Sequence, residues 1–228
     1  MSVAECTLYA ENLWISPYVF STFVALREKG IHFDVEEIAL SEHQNLQPAY
    51  RDVALTARVP SLEYRGFRLT ESSAIAEYLE EVFPAPLYPR LFPAELEARA
   101  RSRELMAWLR SDLGALRQER PTLTMFYRVK VPPLSAAAKR DVDKLLRIAD
   151  VLIPPDGDAL FSSWSLVDSE LALVLHRLIL NDDPVPERVQ AYARLQWQRP
   201  SVRAFVEHSR PRDVPESYWT MSGMPKPA

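Results

Sequence analysis

The sequence predicts an α+β/α two-domain protein, in which a small α/β domain is followed by an all-helical domain. The first 84 residues mix strand and helix periodicity in the order strand, helix, strand, loose helix, hairpin, helix. Four prolines then fall within residues 84–93, a spacing that forbids a helix and favours an extended, semi-rigid linker. Helical periodicity runs through the chain that follows. We therefore expect domains at 1–84 and 95–228, joined by a linker at 85–94.

The first domain opens with a strand and a helix whose boundary is marked by local chemistry. Residues 6–10 are apolar and rich in strand formers. Ser16 is followed by proline, which suits the first turn of a helix, and Gly30 marks the end of that helix. Residues 33–40 predict a second strand, and residues 46–53 predict a loose helix.

A tight hairpin and a third helix complete the first domain. Two short strands flank Arg65 and Gly66, which suit a tight turn. Ser72 and Ser73 are positioned to cap the helix that follows. A strand–helix–strand unit followed by two antiparallel strands and a helix makes a small α/β sandwich.

The second domain is predicted to contain helices only. Leucines recur at helical spacing in its first helix, and its third is nearly continuously apolar, which predicts the buried centre of the domain. The predicted helices span residues 95–119, 135–152, 166–180, 186–197 and 201–209. The tail from Pro211 is rich in proline, so we expect it to be loosely ordered.

Composition excludes several classes of function. A net charge of −4 gives no general attraction for nucleic acid or for an anionic membrane. With Cys6 as the single cysteine, an internal disulfide and a cysteine-based zinc site are both excluded. The four histidines lack metal-ligand spacing, so we expect no metal. The chain start lacks the pattern of a signal peptide, and the prediction is a cytoplasmic protein.

Three local motifs follow one another in the first domain: SPY at residues 16–18, RVPSL at 58–62 and TESSAI at 70–75. With these motifs the sequence resembles the cytosolic glutathione S-transferases, in particular the serine-type theta, zeta and tau classes and their bacterial relatives. The resemblance implies a thioredoxin-like first domain that binds glutathione as a co-substrate, a helical second domain, and a homodimer.

Ser16 lies where the family places its activating hydroxyl. A helix start offers unpaired amides and a partial positive charge, which stabilise a thiolate, and a serine hydroxyl adds one hydrogen bond. The simpler interpretation is a plain helix cap. Tyr9, Tyr18 and Ser21 are competing hydroxyls, although Tyr9 lies within the strand. The family's redox-active relatives carry cysteine at this helix start, so a serine there excludes dithiol exchange.

The other two motifs are implied to hold the peptide. In the family, the bond equivalent to Val59–Pro60 is cis, and the preceding residue pairs with the cysteinyl part of glutathione like an added strand. Ser72 takes the γ-glutamyl carboxylate at a helix N-terminus, and Glu71 pairs with the ammonium group of the same moiety. The alternatives are an ordinary turn for Pro60 and a plain N-cap for Ser72.

His43 and Arg58 match positions that hold the glycyl carboxylate in theta-like members, and surface positions without a role are the alternative. In the helical half, Ser165 and Asp168 fit an N-capping box, so we interpret Asp168 as structural.

The leading functional hypothesis is therefore a glutathione transferase that conjugates the glutathione thiolate to an electrophile, with reduction of peroxides as a further activity. The alternative is a non-catalytic glutathione-binding or scaffold protein on the same fold, because a fold alone does not determine function.

Overall fold

The computed structural model describes residues 5–155, 157–211, 213–222 and 226. Its contacts group the chain into two compact units, Met1–Leu91 with Ala204–Ala228, and Phe92–Arg203. The sequence-based division counts residues 204–228 with the helical domain. The grouping differs because Phe205, His208 and Arg210 contact the ring or carbonyl of Trp14.

The first unit contains a four-stranded mixed sheet. The strands pair in the order β2-β1-β3-β4, with β1 and β2 parallel and the other pairs antiparallel. Its elements are β1 (Cys6–Glu11), α1 (Pro17–Glu28), β2 (Asp34–Ile38), two 3₁₀ turns (Leu40–Glu42 and Gln44–Leu46), α2 (Pro48–Arg51), β3 (Ser61–Tyr64), β4 (Phe67–Thr70) and α3 (Ser72–Val82). The predicted strands, hairpin and helices are confirmed, and the loose helix is two 3₁₀ turns and one short helix.

Both faces of this sheet are covered. Helices α1 and α3 pack against each other and against the sheet. A second apolar cluster is built from Tyr9, Ile38, Tyr50 and Ala54, with Val59 packed against it. Because successive side chains of a strand alternate between faces, Leu8 and Ala10 lie opposite Tyr9, and both are fully buried. The sheet is therefore the middle layer of a sandwich.

The second unit is helical. Its elements are α4 (Leu96–Ser111), α5 (Gly114–Glu119), α6 (Thr122–Phe126), α7 (Ala136–Leu152), α8 (Leu166–Ile179), α9 (Glu187–Trp197) and α10 (Pro200–Val206), whose last residues belong to the first unit. All residues of α8 from Leu166 to Leu178 are buried, and α4, α6 and α9 pack on it. The prediction that this helix forms the centre of the domain is confirmed.

Two details of the helical half differ from the sequence-based prediction. The single helix expected at 95–119 is broken, because Leu113 adopts a left-handed conformation (φ 59°) between α4 and α5. The short helix α6 was not predicted, since its core is only five residues long and begins directly after Pro121.

The prediction of a loosely ordered tail from Pro211 is wrong for residues 216–222, whereas residues 212, 223–225, 227 and 228 of that tail lie outside the described residues. Residues Glu216–Ser222 form a helix, α11, which packs near Leu40–Glu42. Burial of Trp219 explains the order, because a largely buried indole provides apolar contact that a proline-rich stretch alone lacks. No helix within the described residues is both long enough and apolar enough to cross a bilayer.

Candidate functional site

Four segments carrying the predicted site residues meet at one edge of the sheet. Since β1, β2 and β4 run in one direction and β3 in the other, the carboxyl ends of the first three share an edge with the start of β3. The segments that follow or precede these ends contain Ser16, His43, Arg58 to Pro60, and Glu71 with Ser72. The topology thus brings the predicted residues to a common edge.

Each of these four segments contains a non-glycine residue with a positive φ angle. These are Trp14 (53°), His43 (57°), Ala57 (52°) and Glu71 (69°). Side chains rarely adopt such angles, which cost on the order of 1–3 kcal/mol each and persist where the surroundings impose them. Four of the eight non-glycine residues with a positive φ in the described part of the chain thus lie at this edge, and such residues are often found at binding and catalytic sites.

Ser16 is the N-cap of α1. Its backbone is extended (φ −67°, ψ 124°), and its hydroxyl oxygen accepts hydrogen bonds from the amides of Tyr18 at 3.3 Å and Val19 at 3.2 Å. A serine hydroxyl has two acceptor sites and one hydrogen to donate. With both acceptor sites used by the helix amides, the hydroxyl has one hydrogen left to donate.

Glu11, the last residue of β1, lies beneath this helix start and was not singled out by the sequence analysis. Its side chain is buried, and one carboxylate oxygen accepts from the amides of Ile15 and Ser16, the latter at 2.5 Å. Burial raises the pKa of Glu11 to about 7, although these two hydrogen bonds and the charge of Arg210 act to lower it. An acidic residue that ends an apolar strand gives no sequence signal for such a position.

The Val59–Pro60 peptide bond is cis, as predicted. It lies just beyond the β1–β3 ladder, whose last pair is Tyr9 with Ser61. The segment is held by the hydroxyl of Tyr50, which donates to the Arg58 carbonyl at 2.8 Å and lies 2.9 Å from the Ser61 hydroxyl. Sequence reasoning missed Tyr50, because its partners are eight and eleven residues away and no local motif connects them.

The start of α3 differs in one position from the prediction. The N-cap is Glu71, not Ser72 or Ser73, and Ser72 is the first helical residue. Ser72 is 4% exposed, while the Glu71 side chain is exposed and makes no capping hydrogen bond. Glycine suits a positive φ better than glutamate does, so a carboxylate kept at this strained position favours a role for the side chain.

His43 and Arg58 both have exposed side chains. His43 lies in the left-handed conformation at the junction of the two 3₁₀ turns after β2. Arg58 lies two residues before Pro60, and its carbonyl is the group held by Tyr50. Both side chains are therefore accessible to an anion at this edge.

The competing groups are placed elsewhere or engaged. The Tyr9 hydroxyl donates to Glu63 at 3.5 Å within the sheet, and Ser21 is buried in the body of α1. Cys6 is buried, and burial raises its pKa to about 11, which leaves the thiol protonated at neutral pH. Within the described part of the chain, no three His, Cys, Asp or Glu residues are grouped as a metal site would require.

Asp168 lies in the helical unit, where the predicted capping box is present. Its carboxylate accepts from the amides of Leu160 (2.7 Å) and Ser165 (2.8 Å), from the Ser165 hydroxyl (3.0 Å) and from the Tyr192 hydroxyl (2.8 Å). The capping box thus extends into a buried network that connects α8 with α9 and with the loop before α8.

The chain matches two family models, described as the glutathione S-transferase N-terminal domain over residues 15–82 and the glutathione S-transferase C-terminal domain over residues 95–210. The protein belongs to the glutathione S-transferase family. The first match contains all of the edge segments, and the second contains the helices of the second unit up to residue 210. The resemblance inferred from the three motifs is confirmed.

Curated relatives share part of the sequence. The chain is 31% identical over 147 residues to glutathione S-transferase theta-1 of Mus musculus, an alignment covering 58% of this chain and 60% of that protein. It is 30% identical over 109 residues to maleylpyruvate isomerase of Ralstonia sp, covering 48% and 50% of the two chains. The aligned stretches therefore span about half the length of these relatives.

Solved glutathione S-transferase structures share the fold over nearly the whole chain. A glutathione transferase homologue from Burkholderia gl BGR1 with bound glutathione is 39% identical, with a TM-score of 0.72, and covers 88% of this chain and 95% of its own. The theta class enzyme of Xanthomonas axonopodis pv. citri, also with glutathione bound, has a TM-score of 0.72 at 22% identity and covers 91% and 99%. The second similarity concerns the fold alone.

Proposed function

We propose that this glutathione S-transferase binds glutathione along the sheet edge and activates its thiol at Ser16 for conjugation to an electrophile. The observation that carries the proposal is the N-cap geometry of Ser16, whose hydroxyl has its acceptor sites on α1 and one hydrogen left to donate. Thiolate formed here is stabilised by the amides and the dipole at the start of the helix. The nucleophile is the thiolate of the bound peptide, and no protein residue is consumed.

The order of segments along the edge supports a bound glutathione with all three residues engaged. From β4 to β2 the edge presents Glu71 and Ser72, then Val59, then Ser16, then His43. Two strand spacings, about 10 Å, separate β4 from β1. Three extended residues reach roughly 10–11 Å. A peptide anchored by its γ-glutamyl group near Ser72 can thus extend past the Arg58–Pro60 segment as far as Ser16, with its glycyl end directed to the side of His43.

Ser16→Ala should raise the pKa of the bound thiol and lower kcat/KM at neutral pH. Hydrogen bonds to charged groups contribute about 1.5–3 kcal/mol, which corresponds to a shift of about 1–2 pKa units and a loss of about 10- to 100-fold. The pH dependence of kcat/KM should move to higher pH, because less thiolate is present at pH 7. A profile that overlays the wild type would contradict the role of Ser16.

Two control variants separate activation from helix capping. Ser16→Thr retains both the cap and the hydroxyl hydrogen, so most of the activity should remain. Ser135 caps α7 in the helical unit, where it accepts from the Ala138 amide at 3.2 Å. Ser135→Ala should therefore lower stability by about 1 kcal/mol and leave the thiol pKa unchanged.

Glu71→Gln and Ser72→Ala should raise the KM for glutathione about tenfold or more while changing kcat little. These groups would hold the end of the peptide remote from the sulfur, so their contacts are similar in ground and transition states. Steady-state kinetics with varied glutathione measures this. Ser73→Ala, at the exposed neighbouring position, is the matched control. An unchanged KM in both site variants would exclude a γ-glutamyl site here.

The rival function, a scaffold on the same fold, predicts no thiol activation. Retention on glutathione resin together with turnover of a panel of electrophiles and hydroperoxides decides between the two. Binding without turnover of any member would support the scaffold, and turnover of hydroperoxides would add the peroxidase activity. A cytoplasmic homodimer completes the proposal on the strength of family membership, and light scattering of the purified protein tests the dimer.

A further inference from the structure

Glu11 is a buried carboxylate that the proposed chemistry does not use directly. It is 4% exposed, one of its oxygens holds the amides of Ile15 and Ser16, and the other oxygen is buried with no hydrogen bond from any other described residue. An unpartnered carboxylate oxygen costs free energy, and a carboxylate in the interior is seldom retained without a compensating role. The position of that carboxylate, beneath the residue proposed to activate the thiol, suggests what the role is.

The charges that face Glu11 come from the C-terminal segment of the same unit. The guanidinium of Arg210 acts against the burial that raises the pKa of Glu11, and burial together with the charge of Glu11 raises the pKa of the Tyr218 phenol. Arg210 also donates to the Trp14 carbonyl at 3.3 Å, within the loop that Glu11 supports. In the same loop, the Trp14 indole donates to Glu37 at 2.7 Å. The loop from 12 to 15 is therefore held by several polar contacts, and Glu11 is the one that reaches Ser16.

We propose that Glu11 is a positioning residue for thiol activation, which acts by holding the Ile15 and Ser16 amides and thereby the orientation of the Ser16 hydroxyl. The proposal rests on the proposed function of Ser16. Two adjacent amides bound to one oxygen restrain the backbone on the N-terminal side of Ser16, while the bonds to Tyr18 and Val19 restrain its side chain. Glu11 itself makes no contact with the sulfur in this arrangement.

The carboxylate has a second effect, which is electrostatic. A negative charge one contact away from Ser16 opposes the formation of a thiolate there, since like charges in a buried site disfavour each other. Holding the amides therefore promotes activation, and the charge itself restrains it. Two substitutions separate these effects, because glutamine keeps an acceptor oxygen and removes the charge, whereas alanine removes both.

The test is the pKa of the bound glutathione thiol, measured from the ultraviolet absorbance of the thiolate in complexes of wild type, E11Q and E11A. E11Q should lower the thiol pKa by about one unit, because the opposing charge is gone and the amides are still held. E11A should have a thiol pKa above that of E11Q, which lacks the same charge but still holds the amides, and a lower kcat, with little change in the KM for glutathione. E11D should recover part of the loss in E11A.

A further measurement, made without glutathione, tests whether the Glu11 carboxylate acts on these two amides. The amide NMR signals of Ile15 and Ser16, followed against pH without glutathione, should titrate in wild type and not in E11Q. A thiol pKa in E11Q and E11A equal to that of wild type would overturn the positioning role, even if both variants are less stable. If E11A does not fold, E11D decides, because it keeps the charge while its shorter side chain reaches the Ile15 and Ser16 amides less well; an E11D thiol pKa equal to that of wild type then counts against the positioning role. A wild-type complex with the thiol pKa of free glutathione would instead overturn the proposed function of Ser16.

Discussion

Asp168→Ala lowers the free energy of unfolding by about 3–5 kcal/mol and leaves turnover per folded molecule unchanged. The carboxylate accepts four hydrogen bonds, and its removal leaves the amide of Leu160 and the hydroxyl of Tyr192 buried without their acceptor. Each buried group that loses its partner costs about 1–3 kcal/mol, which makes the loss larger than the 0.5–2 kcal/mol of a simple cap. Thermal unfolding should shift by roughly 10 °C.

Two matched variants define the size of the Asp168 effect. Ser135→Ala removes an exposed helix cap whose hydroxyl also donates to Glu119 at 2.5 Å, and it should cost about 1 kcal/mol. Tyr192→Phe removes one of the four donors and should cost less than Asp168→Ala, because the remaining three bonds are kept. If Asp168→Ala melted like the parent and were inactive, Asp168 would belong to the chemistry and the structural role would be wrong.

Lys29→Met should destabilise the first unit by about 3–5 kcal/mol, which is the usual cost of breaking a buried ion pair by removing one partner. The Lys29 ammonium is 1% exposed, donates to the Phe83 carbonyl at 2.8 Å, and lies 2.6 Å from the Glu80 carboxylate. Glu80 also accepts from the Leu91 amide at 2.9 Å. Without Lys29, the charge of Glu80 and the Phe83 carbonyl remain in an apolar environment.

A double substitution tests whether the loss comes from the orphaned charge. Lys29→Met with Glu80→Gln should recover much of the stability, because replacing a buried pair is far less costly than removing one member. Urea unfolding of the two single variants and the double variant gives the coupling free energy. If the stability losses of the two single variants simply add up in the double variant, Lys29 and Glu80 do not interact. The pKa of the bound thiol should stay unchanged, because Lys29 and Ser16 lie at opposite ends of α1.

How far the sequence predicts this molecule depends on the range of the interactions. Ser16, Pro60 and the start of α3 could be located because helix starts and X-Pro bonds are set by neighbouring residues. Asp168 was predicted as a cap from Ser165, three residues away, but not as the partner of Tyr192, which is 24 residues away. Lys29 shows the same limit. A lysine at the end of a helix is expected to be exposed, and its partner, the Phe83 carbonyl, is 54 residues away.

Composition also misleads where a minority of residues decides the structure. The proline content of the tail predicted loose order, yet the burial of Trp219 fixes a helix there. Glu11 reads as the polar end of a strand, and only the fold of the loop to Ser16 shows that its carboxylate points inward at two amides. Residues that act through distant partners in this way are the part of the candidate site that sequence patterns do not contain.

The packing of Phe205 and His208 on Trp14 has a consequence for how the chain is completed during synthesis. Trp14 is fully buried, and the rings that cover it include Phe205 at 5.6 Å and His208 at 3.5 Å between centroids. The ribosome adds these residues some 190 positions after Trp14. The first unit, whose synthesis begins first, therefore cannot complete its packing first. The helical unit, Phe92–Arg203, is one continuous stretch of chain. All of its residues are synthesised before Phe205 and His208, which pack on the Trp14 indole. We therefore expect the helical unit to complete its packing before the first unit does.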